Sequence, residues 1–215
     1  MEGRIITISR QCGSGGHSIG SELAKRLDVP FYDKEIIEMA AKESGFHKEF
    51  VEEKGEHMNS SLLFNIARYA SYGGRGRYEE YQPLQDQIYF AQVKAIKELA
   101  GKGSCVIVGR CADYILRDRE DVLNVFIHAD MAFKKKRCME RGQFSDENAD
   151  DMIRRRDKLR ADHYRYYTDQ KWGDSLNYHL CLDSGMFGIE KCVSMIEAAC
   201  NGMGPFLKTG MLFER

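Results

Sequence analysis

Short apolar runs alternate along the chain with longer stretches in which apolar residues recur every three or four positions. The runs "RIITISR" (4–10), "PFYD" (30–33), "CVIVGR" (105–110), "VLNVFIHA" (122–129) and "YHLCLDS" (178–184) read as strands. Ile19, Leu23 and Leu27 mark the buried face of a helix, Ile88, Ala91, Ala95, Ile96 and Leu99 a second, and Ile189, Cys192, Val193 and Ile196 a third. Continuous apolar strands separated by amphipathic helices call for a parallel sheet covered on both faces. Five strands suffice for a small doubly wound sheet.

Two internal stretches break this rhythm. Residues 72–83, "YGGRGRYEEYQP", have no clear period and read as a loop, while 141–173 is a highly charged helical excursion with few apolar positions. The tail 201–215, "NGMGPFLKTGMLFER", opens on breakers yet carries Phe206, Leu207, Met211, Leu212 and Phe213. That apolar content suggests docking on the domain or on a partner, and leaves a homodimer open.

A chain of 215 residues suits one α/β domain better than two. With 43% hydrophobic and 30% charged residues and a net charge of −1, it has no global attraction to nucleic acid or membrane, so an anionic ligand must be met by a local cluster. No stretch approaches the roughly 18 uninterrupted apolar residues of a membrane span, and "MEGRIITISR" lacks a signal-type apolar region, which predicts a cytoplasmic protein. The seven cysteines form no CxxC pair and read as reduced, structural thiols. His47, His57, His128, His163 and His179 show no metal-ligand spacing with them.

The candidate chemistry begins in "ISRQCGSGGHSIGSEL" (8–23), where a strand, the glycine-rich turn Gly13, Ser14, Gly15, Gly16 and a helix follow in that order. Glycines there permit a backbone that aims N–H groups at an anion, and the helix adds its positive dipole end. Against the pattern G-x-x-x-x-G-K-[ST], Gly16 and Ser18 align, but Gln11 replaces the first glycine and His17 the lysine. His17 lends charge only when protonated. Arg10 or an arginine from a lid is the compensating cation, unless the segment is only a tightly packed strand-to-helix turn.

Across nearly its whole length the chain resembles the cytidylate kinase-like branch of the P-loop nucleoside monophosphate kinases. "TISRQCGSGGHSIGSELAKRL" is similar to that branch's phosphate loop, in which the lysine is commonly absent. "PFYDKEII" resembles its second strand, "CVIVGRCADYIL" its third strand and Gly-Arg corner, "VFIHADMAFKKKRCMERG" its fourth strand and lid entry, and "RRRDKLRADHYRYYTDQKWGD" its lid exit. The resemblance implies a three-layer P-loop kinase fold on a five-stranded parallel sheet, with a helical acceptor-binding insertion at 34–103 and a lid at 141–170. It also implies ATP and Mg²⁺. The chain departs from cytidylate kinases at His17 and at the corner, where Gly109, Arg110, Cys111 stand for Gly-Arg-Asp.

Phosphoryl transfer depends on positioned cations, so arginines should converge from separate segments. Arg110 ends a predicted central strand, where open sheets bind ligands, and is a candidate for the acceptor phosphate or for a structural ion pair. Arg137 and Arg141 share a helix face, as do Arg156 and Arg160. The resemblance places Arg137 near the adenine, Arg141 near the phosphates, and Arg156, Asp157 and Arg160 at the transferring phosphate and acceptor. The plainer reading is a solvated charged helix. Asp33 suits an acceptor hydroxyl, a Mg²⁺ water or a helix N-cap, and "FYDKE" also resembles small-molecule kinases such as shikimate kinase. Ser18 is the candidate for the direct Mg²⁺ ligand. Tyr164, Tyr166, Tyr167 and Trp172 read as packing at a lid hinge. "GGRGR" (73–77) is either a phosphate clamp or a flexible turn. The expected function is ATP-dependent transfer of the γ-phosphoryl group to a CMP-like nucleoside monophosphate or a similar small acceptor. The alternatives are a nucleotide-sensing module of kinase ancestry, a small-metabolite kinase and a structural protein without a nucleotide site.

Overall fold

The computed structural model describes residues 4–54 and 83–202. The loop at 73–77 and nearly all of the 201–215 tail lie outside the described residues.

Five parallel strands, β1 (Ile5–Arg10), β2 (Phe31–Tyr32), β3 (Cys105–Val108), β4 (Val122–His128) and β5 (Leu180–Asp183), stand in the order β2-β3-β1-β4-β5. β1 is central, with Ile5 beside Cys105 on one side and Val122 on the other. Helices α1 (Gly16–Leu27) and α8 (Ser184–Gly202, broken at Gly188) cover one face, where Ile19, Leu23, Val193 and Ile196 meet the strands. The other face carries α4 (Leu84–Gly101), α5 (Ala112–Ile115) and Tyr164 from α7 (Ala149–Thr168). This is the α/β architecture that the alternating pattern predicts.

Two short helices, α2 (Lys34–Ser44) and α3 (Lys48–Lys54), follow β2 and pack on α4 through Ile37, Ala40, Val51 and Ile88. After β4, α6 (Met131–Glu140) runs up to the positive-φ Gly142, and α7 begins only at Ala149, so the polar excursion is a helix flanked by a turn. Asp130 fixes where α6 begins by accepting from Phe133 N at 2.7 Å, a side-chain N-cap. The predicted strand at 30–33 shrinks to two residues. It is the sheet's edge, and Pro30 contributes only its carbonyl, which accepts from Val106 N. Among the described residues no helix is long and apolar enough to cross a membrane.

The tyrosines read as hinge packing do fasten α7. Tyr167 stacks on Tyr89 with centroids 3.7 Å apart and donates to Asp86, and Tyr164 donates to Asp113 Oδ2 at 2.7 Å. Asp113 is 3% exposed, and burial, opposed by the Tyr164 hydrogen bond, raises its pKa to about 6 from 3.8. A carboxyl whose folded value is raised favours the native state below its unfolded value and loses that contribution as pH rises through the folded one. The expected outcome is that stability relative to Asp113→Asn falls between pH 4 and pH 6 by on the order of 3 kcal/mol. Urea denaturation of both proteins across that range checks it; a flat difference contradicts the shift.

Candidate active site

Between the end of β1 and the start of α1 the chain turns through Gln11 to Gly15. Gly13 and Gly15 adopt φ of +77° and +82°, where glycine alone is unstrained. Close packing enforces the choice: a Cβ on Gly13 would lie 2.6 Å from the Lys134 carbonyl oxygen, and one on Gly15 would lie 2.4 Å from Ile189 Cδ1. Gln11 O accepts from Ser14 through both N (3.2 Å) and Oγ (2.8 Å), closing the loop on itself. Ser184 Oγ donates to Ser14 O and so ties the loop to α8. The first turn of α1 therefore meets a rigid loop, with its N–H groups and positive dipole end facing it.

Cations gather on that turn from α6. Arg141 Nη2 lies 2.7 Å and Arg137 Nη2 3.3 Å from Ser18 Oγ. Burial first, and then the neighbouring Arg141, push the Arg137 guanidinium below its ordinary pKa. Two guanidiniums on one hydroxyl repel each other until an anion lies between them.

On the other side of the loop, the Asp157 carboxylate from α7 accepts from Cys12 N at 2.6 Å and from Lys134 Nζ at 3.0 Å. Arg160 Nη1 stands 3.9 Å from Asp157 Oδ1 and donates to Arg10 O at 3.3 Å. Beyond it a small cavity, half open to solvent, lies at the ends of β1 and β3, lined by Ser9, Arg10, Arg110, Arg160, His163 and Trp172 among others. Arg110 is buried there in a left-handed conformation, φ +57°. The site thus has a glycine-rich loop in the middle, two guanidiniums at the helix side and two at the cavity side.

The residues singled out from the sequence do not all converge. Ser18, Arg137 and Arg141 come together at the loop, Arg110 and Arg160 at the cavity, and Asp157 lies between Arg160 and the loop. His17 and Asp33 pair with each other, Nε2 to Oδ2 at 3.3 Å, with the imidazole edge-on to Phe31. Asp33 occupies the N-cap position of α2 without a side-chain capping bond. Arg156 stacks on Phe144, 4.5 Å from the ring centre.

Lys134 went unrecognised in the sequence, and Gln11 was read only as a departure from the loop pattern. Gln11 Oε1 accepts from Lys134 Nζ at 3.3 Å and Ala129 N at 3.4 Å. Lys134 stands first in "KKK" (134–136), where nothing in the run itself marks one lysine from the next. The signal was its spacing, three before Arg137 and seven before Arg141, which puts all three on one helix face. Cys111 and His163 approach across the same cavity, Sγ to Nδ1 at 4.0 Å.

Residues 5–186 match the model of the cytidylate kinase-like family. A cytidylate kinase from Methanospirillum hungatei is 26% identical over 198 residues, spanning 90% of this chain and 94% of its own. The crystal structure of an uncharacterized protein from Eubacterium ventriosum superposes with a TM-score of 0.67 at 29% identity, covering 93% of this chain and 99% of that one. A shikimate kinase from Bacteroides thetaiotaomicron, 15% identical, shares the fold with a TM-score of 0.52 over 92% of this chain and 98% of its own.

Proposed function

Because the chain belongs to the cytidylate kinase-like family, we propose that it transfers the γ-phosphoryl group of ATP to a nucleoside monophosphate, with CMP or dCMP the first acceptors to test. The observation that carries this reading is the pairing of cations across one loop. Arg137 and Arg141 meet Ser18 at the head of α1, and Arg110 and Arg160 line the cavity beyond.

In this reading the loop N–H groups and the head of α1 hold the donor phosphates. Arg137 and Arg141 turn from Ser18 onto phosphate oxygens, relieving their mutual repulsion and supplying charge from the lid side where the loop has none. Arg110 and Arg160 hold the acceptor phosphate and neutralise charge on the transferring group, while closure of the lid helices excludes water. His17, turned to Asp33, links the loop to β2 near the acceptor helices.

Mg²⁺ fits the donor chemistry present. Bound through phosphates, the ion needs only one or two protein oxygens, and Ser18 Oγ stands in the first helical turn. Among the described residues no group of three or more His, Cys, Asp or Glu could hold a metal by itself, so Ser18 would hold it together with the nucleotide. When bound, the ion would neutralise charge on the phosphate oxygens.

Arg141→Ala is expected to weaken ATP binding about tenfold, the size of a lost charge-assisted hydrogen bond, with little change in stability because the residue is exposed. Calorimetric titration checks it, and unchanged affinity removes Arg141 from the donor site. The function itself is tested by ADP release from ATP and Mg²⁺ over a panel of nucleoside monophosphates and hydroxylated metabolites. Release stimulated by a monophosphate supports the reading. Release stimulated only by a hydroxylated metabolite makes the chain a small-metabolite kinase, and tight ATP binding with no stimulated release makes it a nucleotide sensor.

A further inference from the structure

We propose that Lys134 is the cation standing in for the lysine absent at position 17, and that Asp157 holds its place as a stand-in anion until the terminal phosphate of ATP displaces it. The inference rests on the phosphotransferase reading above and assigns a role to a residue outside the family's loop pattern.

Three positive groups from three separate segments face the Asp157 carboxylate: Cys12 N from the loop, Lys134 Nζ from α6 and the Arg160 guanidinium from α7 itself. A backbone N–H at the start of a glycine-rich loop, an ammonium and a guanidinium are the donor set that recognises a phosphoryl group. The carboxylate lies where a transferred group must pass. Cys12 belongs to the loop that holds the donor, and Arg160 lines the acceptor cavity.

Lys134 is only 6% exposed, and its own carbonyl oxygen packs under Gly13, so the ammonium is delivered from directly against the loop. Its second partner is Gln11 Oε1, the side chain that replaces the first glycine. His17 is directed elsewhere, onto Asp33 and Phe31. The charge missing from α1 is thus supplied by α6, and a neutral glutamine beside Lys134 leaves it available to an incoming anion.

A competitor and a strut predict opposite signs. Calorimetric titration of the full chain with ATP and with ADP, for wild type, Lys134→Met, Lys134→Arg, Asp157→Asn and Asp157→Ala, separates them. The expected result is ATP affinity about tenfold weaker in Lys134→Met and largely restored in Lys134→Arg, with ADP affinity changed less than about twofold. Asp157→Asn and Asp157→Ala should bind ATP several-fold more tightly than wild type, again with ADP unchanged. Asp157 variants that bind both nucleotides more weakly overturn the stand-in role, and Lys134→Met with wild-type ATP affinity overturns the cation. Should Lys134→Met not fold, the sign of the Asp157 variants still decides. Wild type that binds neither nucleotide overturns the phosphotransferase reading itself, whereas wild type that binds ATP alongside unaltered variants overturns this inference alone.

Discussion

Arg160→Ala is expected to lower kcat for the proposed phosphoryl transfer roughly a thousandfold, with the protein unfolding at nearly the wild-type temperature. The size follows from position. The guanidinium reaches the loop through Arg10 O, stands beside Asp157 and lines the cavity, so it can touch donor and acceptor at once. Removing a preorganised cation from a transferring phosphoryl group costs on the order of 10²- to 10⁵-fold in rate. The stability change is expected to be small because the hydrogen bond to Arg10 O is long and the ion pair with Asp157, at 3.9 Å, keeps partial contact with solvent. Arg160→Lys should recover only part of the activity, since an ammonium cannot bridge two oxygens in one plane. Steady-state kinetics with the acceptor at saturation give the answer. A kcat within a few-fold of wild type for Arg160→Ala would take this residue out of the transfer step.

Gly13→Ala is expected to be the most damaging single change in the loop. Alanine must hold φ near +77° and place its methyl carbon 2.6 Å from the Lys134 carbonyl oxygen, a backbone atom that cannot swing aside. Left-handed strain costs about 1–3 kcal/mol and overpacking a similar amount, so a loss of roughly 2–5 kcal/mol is expected, with ATP binding abolished as α6 is driven off the loop. Gly101→Ala is the control. It lies in α4 with nothing within 4 Å of the added carbon, and should be neutral or mildly stabilising. Denaturant unfolding of the two variants makes the comparison; a Gly13→Ala protein as stable as Gly101→Ala would contradict the packing of loop on lid.

The sheet was legible because its central strands are buried on both faces and so appear as mostly apolar runs, as in "RIITISR" and "VLNVFIHA". β2 was overextended in the reading because "PFYD" names the residues that could pair, and nothing local says that an edge position stops after Tyr32. The loop was legible for a similar reason: Gly13 and Gly15 are required by local backbone geometry. The loop's cations were harder to read. Arg137 and Arg141 could be grouped by helical spacing, but that they meet at Ser18 depends on how α6 docks. The contact of Asp157 with Cys12 joins residues 145 positions apart, and no local pattern encodes it. His17 illustrates the limit in the other direction. Its place in the loop pattern suggests a phosphate ligand, and nothing local shows that its imidazole also lies beside the Asp33 carboxylate at the end of β2.

If α6 supplies the charge that the loop lacks, as proposed, a physical consequence follows. A lysine on α1 would hold phosphate whether the lid is open or closed. Arg137, Arg141 and Lys134 ride on α6, so their charge reaches the nucleotide only when α6 lies against the loop, through the contact of Cys138 with Cys12 and of Lys134 with Gly13. In the proposed reading, donor binding and placement of α6 would be one event, which would favour transfer to a bound acceptor over transfer to water.

The most direct test of the central claim is transfer of label from γ-³²P ATP into CMP by the full chain with Mg²⁺. Labelled CDP, formed in proportion to enzyme and lost in Arg160→Ala, is the predicted result. Absence of any labelled acceptor across CMP, dCMP and the other nucleoside monophosphates, from protein that demonstrably binds ATP, would contradict it.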